Sequence, residues 1–543
     1  MHKRDLTAEY SGPQRIVDLI RRGARLFANR EVIVTPTARM TYFELDLASR
    51  ALAKRLIAAG AGKGTRVAVH LPHSVEWIVS FFAVTRIGAV VMPFSAAYKA
   101  SELRRALLLG DAHLLIAGTE SWHSGPYAEF LLQALPELHS AESQRLQCTE
   151  TPFLREIWMF GPGAAPRWAR AAPLEARPTS EATVSDQLLD ALEEQVVPAD
   201  DAMIIWTSGT TADPKGAIHT QATVARRAKA NAHSHAFVPD DRVFCDYAFW
   251  WVGGPGYGFL PAIWAGATTL AVPRHHRDST EAFLENERPT RVAGRLAPDI
   301  AKRVVASKEG SAHMVSPRAI GMTETFGPHS MHEPASREEL LASPKPGLGP
   351  AILGFERKIV NRATGEELPE GQEGELLVRG PGMMRNLYRR ERDEVFDHDG
   401  WYHTGDKCLI VDDIIHFVAR FTEMIKTSGT NVAPLEVEQV ISAIPGVEES
   451  VVFGVPDPQR GESVAAAIQR VPGATLNVEE VRDAVRLQLS NYKVPREVLI
   501  LEDHEMPRLH SGKPDKVALK KLMSARLNAD GASSEMQTPN TSR

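Results

Sequence analysis

Trp206-Thr207-Ser208-Gly209-Thr210-Thr211-Ala212-Asp213-Pro214-Lys215-Gly216 places four hydroxyl side chains, two glycines and one lysine in a single short run. The apolar stretch Ala202-Met203-Ile204-Ile205-Trp206 that leads into it predicts a buried strand. Small residues let the backbone curl so that its N–H groups face inward. The hydroxyls and Lys215 then complete a cradle for polyphosphate. This is not a Walker A loop, because Lys215 precedes Gly216 and Ala217 where that motif needs Gly-Lys-Ser/Thr. Taken alone, the run is explained as well by a Ser/Thr-rich turn between two strands.

Four distant segments supply the rest of a nucleotide site. Gly321-Met322-Thr323-Glu324-Thr325 offers a carboxylate between two hydroxyls. Tyr402-His403-Thr404-Gly405-Asp406 ends a turn with an aspartate suited to accept from ribose hydroxyls. Arg420 and then Ile425-Lys426-Thr427-Ser428-Gly429-Thr430-Asn431 add a cation and a glycine turn ahead of a helix. Pro507-Arg508-Leu509-His510-Ser511-Gly512-Lys513 presents a lysine on a Ser-Gly turn. In this order the five segments resemble the adenylate-forming superfamily: acyl-CoA synthetases, luciferases and peptide-synthetase adenylation domains. The resemblance runs from about Ile16 to about Ala525. The wording is most similar to bacterial fatty-acyl-CoA and cyclohexanecarboxylate-CoA ligases.

The resemblance implies an α/β fold in two parts. Residues 1–421 would form a large N-terminal domain of layered, largely parallel α/β/α subdomains with a small β-barrel-like part. Residues 422–526 would form a small mobile α+β domain, and 527–543 a disordered tail. It also implies an ATP-dependent acyl-CoA ligase using ATP, Mg²⁺ and coenzyme A, with a homodimer among its allowed assemblies. Lys513 would bridge the incoming carboxylate and the α-phosphate, and Thr323 would contact that phosphate. Glu324 would hold Mg²⁺, because one carboxylate plus substrate phosphates suits that ion. Thr207, Ser208, Gly209, Thr210, Thr211 and Lys215 would hold the phosphates. Asp406 would take the ribose hydroxyls, with Arg420 in support. Gly429 would let pantetheine pass close to backbone. The hinge falls at Thr422, where relatives carry Asp or Lys. Without the resemblance, Lys513 reads as a solvated surface lysine and Asp406 as a turn residue.

Phe249-Trp250-Trp251-Val252-Gly253-Gly254 marks the acyl site, with Trp250, Trp251, Gly253 and Gly254 as pocket candidates. Aromatics beside glycines suggest an apolar acid, although ordinary core aromatics would give the same pattern. Arg295 is an unusual charge in a segment expected to line the same pocket. The interval from Gly216 to Glu324 is about 30 residues short by family comparison. The gap near Ser307–Ser316 predicts a lost strand and poor base discrimination. This keeps a catalytically impaired nucleotide-binding homologue as an alternative, beside an acyl-adenylating enzyme with another acceptor.

The remaining features fit this class. The chain has 543 residues, 43% apolar and 24% charged, which is ordinary for a multidomain globular protein. A net charge of −6 with dispersed Lys and Arg leaves no footprint for nucleic acid. Three cysteines without CxxC spacing argue against zinc or a disulfide framework and fit a reducing cytoplasm. The longest apolar stretch, Trp77–Ala97, carries Arg86 and Gly88 and predicts a buried helix then a strand, not a membrane span. Helical spacing recurs at Gln14–Arg30, Tyr42–Ala59 and Ser74–Gly88, with β-rich runs between, and Thr41 is placed to cap the second helix. Residues 121–199 read as irregular.

Overall fold

The computed structural model describes residues 14–119, 126–161, 164–172, 184–207, 214–273, 280–294, 313–315, 319–332, 347–352, 354–421, 424–508 and 514–535, with the side chains at 313–315, 419–420, 435 and 528–535 outside that set. The chain forms two compact units: 1–96, 103–207 and 216–419 in the first, and 97–102, 208–215 and 420–543 in the second.

Among the described residues, the first unit is built on two large sheets. One runs in the order 386–387, 215–220, 201–207, 90–93, 66–70, 114–118, 156–160, 170–171. The pairs from Val90–Pro93 through Arg170–Ala171 are parallel. Runs such as Leu114-Leu115-Ile116-Ala117 are wholly buried, as a parallel sheet covered on both faces demands. The other sheet runs 313–315, 291–293, 242–245, 268–270, 31–34, 39–41, parallel except for the last strand. The barrel-like part is a four-stranded antiparallel sheet of Glu356–Val360, Gly374–Arg379, Tyr402–Val411 and Ile414–Arg420. The second unit carries a five-stranded sheet including Val447–Asp457 and Gly461–Arg470, covered by the helices Pro434–Ser442 and Val478–Gln488.

The early helices fall at Ile16–Leu26, Tyr42–Ala58 and Val75–Arg86. Thr41 caps the second of them. Its hydroxyl accepts from the Glu44 N–H while the Glu44 carboxylate accepts from the Thr41 N–H. Arg86 ends the third helix fully buried, and it is tolerated there because it is paired with Glu193 at 2.7 Å and Asp46 at 2.6 Å. No described helix is long and apolar enough to cross a membrane.

Three expectations need correction. The 121–199 interval is more regular than its composition suggests, because Glu156–Phe160 joins the large sheet and Asp186–Gln195 is a helix capped by Ser185. The strand predicted lost is present: His313–Val315 pairs in parallel with Arg291–Ala293 at the sheet edge, so the shortened interval still closes that sheet. Residues 295–312 and 316–318, with Arg295, lie outside the described residues. Finally, the last helix runs Lys516–Glu535. Its Ala, Leu, Met, Lys and Arg residues carry helix propensity past the expected start of the tail.

Candidate active site

Thr323-Glu324-Thr325 forms one 3₁₀ turn between the antiparallel strands Ala319–Met322 and Gly327–Met331. The chain leaves this turn through two residues of positive φ, Phe326 at 49° and Gly327 at 115°. A buried phenylalanine in that region is strained, and such strain persists only where the surroundings over-determine it. They do so here. The Thr325 hydroxyl donates to the Gly327 carbonyl at 2.6 Å, and the Phe326 N–H donates to the Thr323 carbonyl at 3.0 Å. The Met384 N–H donates to the Glu324 carbonyl at 2.6 Å. The His219 ring meets the Phe326 ring edge-on at 4.9 Å, and burial pushes its pKa down to about 3, so it is neutral.

The Tyr402 hydroxyl donates to Glu324 Oε1 at 3.1 Å. This single contact joins two motifs 78 residues apart. Glu324 Oε2 has no hydrogen-bond partner among the described residues, so the carboxylate keeps a lone-pair face for a cation. No described cluster of three or more His, Cys, Asp or Glu could hold a metal by itself. One carboxylate plus substrate phosphates is a donor set that suits magnesium.

Asp406 sits inside the strand Tyr402–Val411, not at the end of a turn as the sequence suggested. The ladder slips between Glu375 and Leu377, so Thr404, Gly405 and Asp406 form a bulge. The Thr404 hydroxyl donates to the Leu376 carbonyl at 2.8 Å and accepts from the Asp406 N–H at 3.1 Å. The Gly405 N–H donates to Glu375 Oε1 at 3.2 Å. Period-two reading of the sequence could not reveal this bulge, but Gly405 at a φ of 72° was its signal. Asp406 itself is buried.

The segment expected to line the acyl pocket is only partly buried. Phe249 belongs to the core, stacked on His73 at 4.4 Å, and its N–H donates to His73 Nε2 at 3.2 Å. Trp250 is half-buried and Trp251 is 37% exposed, so neither is an ordinary core aromatic. Gly253 and Gly254 lead into a π-helical turn, Gly254–Phe259, that continues as the helix Leu260–Ala265. Such turns recur at functional sites. A Cβ on Gly254 would lie 2.4 Å from the Ala248 carbonyl oxygen, so only glycine fits there.

The remaining candidates are placed in part. Thr207 ends the strand Asp201–Thr207 and Lys215 opens Lys215–Thr220, while Ser208, Gly209, Thr210 and Thr211 lie outside the described residues. Arg420 ends Ile414–Arg420, with its side chain outside that set. Thr422 and Lys513 are also outside it, although Arg508 and Pro514 pair antiparallel on either side of the lysine's segment. In the second unit, Ser428 and Gly429 have φ of 50° and 78° between Ile425–Thr427 and Thr430–Val432, as a tight two-residue hairpin requires.

A family model described as AMP-binding enzyme matches residues 20–319 and 312–388, and one described as AMP-binding enzyme C-terminal domain matches 436–513. The chain belongs to this family, within the adenylate-forming superfamily. It is 26% identical to the oxalate–CoA ligase of Arabidopsis thaliana, covering 91% of this chain and 96% of that protein. It is 26% identical to the long-chain-fatty-acid–CoA ligase FadD13 of Mycobacterium tuberculosis, covering 93% and 98%. The solved amide bond synthetase McbA of Marinactinospora thermotolerans has the same fold, with a TM-score of 0.73 at 23% identity over 93% of this chain and 99% of that one.

Proposed function

We propose that the chain is an AMP-forming acid–thiol ligase that joins an apolar carboxylic acid to coenzyme A at the expense of ATP. The observation that carries the reading is the Tyr402–Glu324 hydrogen bond, which joins the candidate metal carboxylate to the strand bearing Asp406. In the first half-reaction a carboxylate oxygen of the acid attacks the α-phosphorus and the bond to pyrophosphate breaks, leaving acyl-AMP. In the second, the CoA sulfur attacks the acyl carbonyl, AMP leaves and the thiol proton passes to solvent. The first step demands that two anions be held together, so the cation of Lys513 is assigned to the carboxylate and α-phosphate. Thr323 is assigned to the α-phosphate, the 207–215 run to the other phosphates, and Asp406 with Arg420 to the ribose. Magnesium on Glu324 would neutralise phosphate charge. The second unit is assigned as the mobile domain, with Thr422 as hinge and Gly429 beside the pantetheine.

The preference for an apolar acid rests on Phe249–Gly254, since the named relatives act on acids as unlike as oxalate and long-chain fatty acids. Pyrophosphate release across short dicarboxylic, aryl, alicyclic and fatty acids, with and without CoA, tests the reading. Release confined to alicyclic or fatty acids, with a thioester formed only with CoA, is expected. Release without any thioester points to another acceptor, and no release with any acid overturns the proposal.

A further inference from the structure

Arg227 and Asn231 lie one turn apart on the helix Gln221–Ser234, both buried in the first unit. Arg227 Nη2 donates to Asn231 Oδ1 at 2.9 Å and to the Pro328 carbonyl at 2.5 Å, directly beyond the Glu324 turn. Asn231 Nδ2 donates to the Gly256 carbonyl at 2.5 Å, inside the π-helical turn after Trp250 and Trp251. The guanidinium also lies over the Phe355 ring at 5.1 Å. The two held segments touch each other: a Cβ on Gly256 would sit 3.2 Å from the Phe326 carbonyl oxygen. One built at Gly327 would sit 3.1 Å from Asn231 Nδ2.

A buried guanidinium is costly unless its donors are met, and here Nη2 is shared between the Asn231 side-chain oxygen and the Pro328 backbone carbonyl. Pro328 lies opposite Gly321 beside the register shift of its hairpin, and Gly256 lies inside the π-helical turn. We propose that Arg227 and Asn231 are positioning residues that lock the acyl-site π-turn to the Thr323–Glu324 turn, so that a seated acid and the phosphate-holding groups share one geometry. The proposal rests on the acyl-CoA ligase reading. It assigns the pair to the rate of adenylation and not to ATP affinity, because neither side chain is placed on the nucleotide.

The test compares Arg227→Met, Arg227→Lys and Gly256→Ala with the parent, using pyrophosphate release with the best acid of the panel, ATP titrations and melting. Arg227→Met is expected to lower kcat about 10- to 100-fold with the KM for ATP within about twofold, as small misplacements do. Arg227→Lys, which keeps a donor and the charge, restores a large part of that loss. Gly256→Ala, which pushes on the Phe326 carbonyl without touching the buried cation, lowers kcat several-fold and stands in if Arg227→Met does not fold. An unchanged kcat per folded molecule in these variants, or a loss appearing in ATP KM alone, overturns the coupling while leaving the ligase reading intact. A parent protein that releases no pyrophosphate overturns both.

Discussion

The Glu324 turn and the Gly429 hairpin look alike in sequence, each a short run of hydroxyls, glycine and one charged residue, yet the chain holds them by different means. Around Glu324, positive φ at Phe326 and Gly327 is imposed by buried contacts from Met384, Thr325 and His219. At Gly429 there is nothing within 4 Å of a would-be Cβ, and positive φ is what a tight hairpin requires by itself. In the first setting the conformation is costly and is held by its surroundings, which makes the turn a candidate for chemistry. In the second setting, the glycine is explained by the turn before any ligand is considered.

The largest effect expected lies in the first half-reaction. Lys513→Ala should lower adenylation at least about 10³-fold while leaving transfer from supplied acyl-AMP nearly intact, since only the first step brings two anions together. Equal losses in both steps, measured by single-turnover quench, would give Lys513 another role. Glu324→Gln removes a charge at almost constant volume and should cost about 10²-fold in kcat, with the magnesium requirement raised. A magnesium titration that overlays the parent's makes the carboxylate structural and erases the contrast with the hairpin.

Acid should separate the two regions as well. Burial holds the folded-state pKa of His219 at about 3, below the unfolded value near 6.5, so the unfolded chain takes up the proton first. The stability this histidine contributes is complete above pH 6.5 and is lost as pH falls toward 3. At pH 5 the loss is about 2 kcal/mol, at about 1.4 kcal/mol per unit. Amide exchange in 319–331, which packs on His219 through Phe326 and carries the buried His329 held down to about 3 as well, should therefore accelerate between pH 7 and 5 once corrected for intrinsic rates. Exchange in 425–432, which contains no histidine, should not. Parallel acceleration in both segments would contradict this account of the Glu324 turn.

The hairpin is probed by Gly429→Asn beside Gly429→Leu. Asparagine accepts left-handed backbone, whereas leucine there costs about 1–2 kcal/mol. If pantetheine passes Gly429, both variants should slow thioester formation about tenfold while sparing the pyrophosphate burst, and only the leucine variant should melt early. Full thioester turnover with asparagine would leave Gly429 a purely structural turn residue. The smallest effect is reserved for Tyr402→Phe. Removing its hydroxyl from Glu324 should change magnesium affinity about three- to tenfold, about 0.7–1.4 kcal/mol, the net worth of an ordinary hydrogen bond.

Continuous apolar strands and capped helices were legible because burial on both faces and the Thr41–Glu44 box write themselves into single residues. The edge strand His313–Val315 was not legible, because three residues at a sheet margin carry no period. Nor was Glu156–Phe160, whose apolar run sits among Pro, Gly and polar neighbours that signal a loop. At the site, residue types were readable but their settings were not. A bulge presents Asp406 and a π-turn follows Trp251, and both depend on ladder register that only the folded sheets define. Arg227 and Asn231 were missed since an Arg-x-x-x-Asn pair on a helix looks like solvated surface until its burial is known.

The two look-alike motifs are expected to serve different half-reactions, and a single-turnover quench following acyl-AMP and acyl-CoA together in Glu324→Gln and Gly429→Leu tests this most directly. Slow acyl-AMP formation with normal transfer of supplied acyl-AMP in the first variant, and normal acyl-AMP formation with stalled transfer in the second, is the predicted result. Both steps slowed alike in both variants would contradict it.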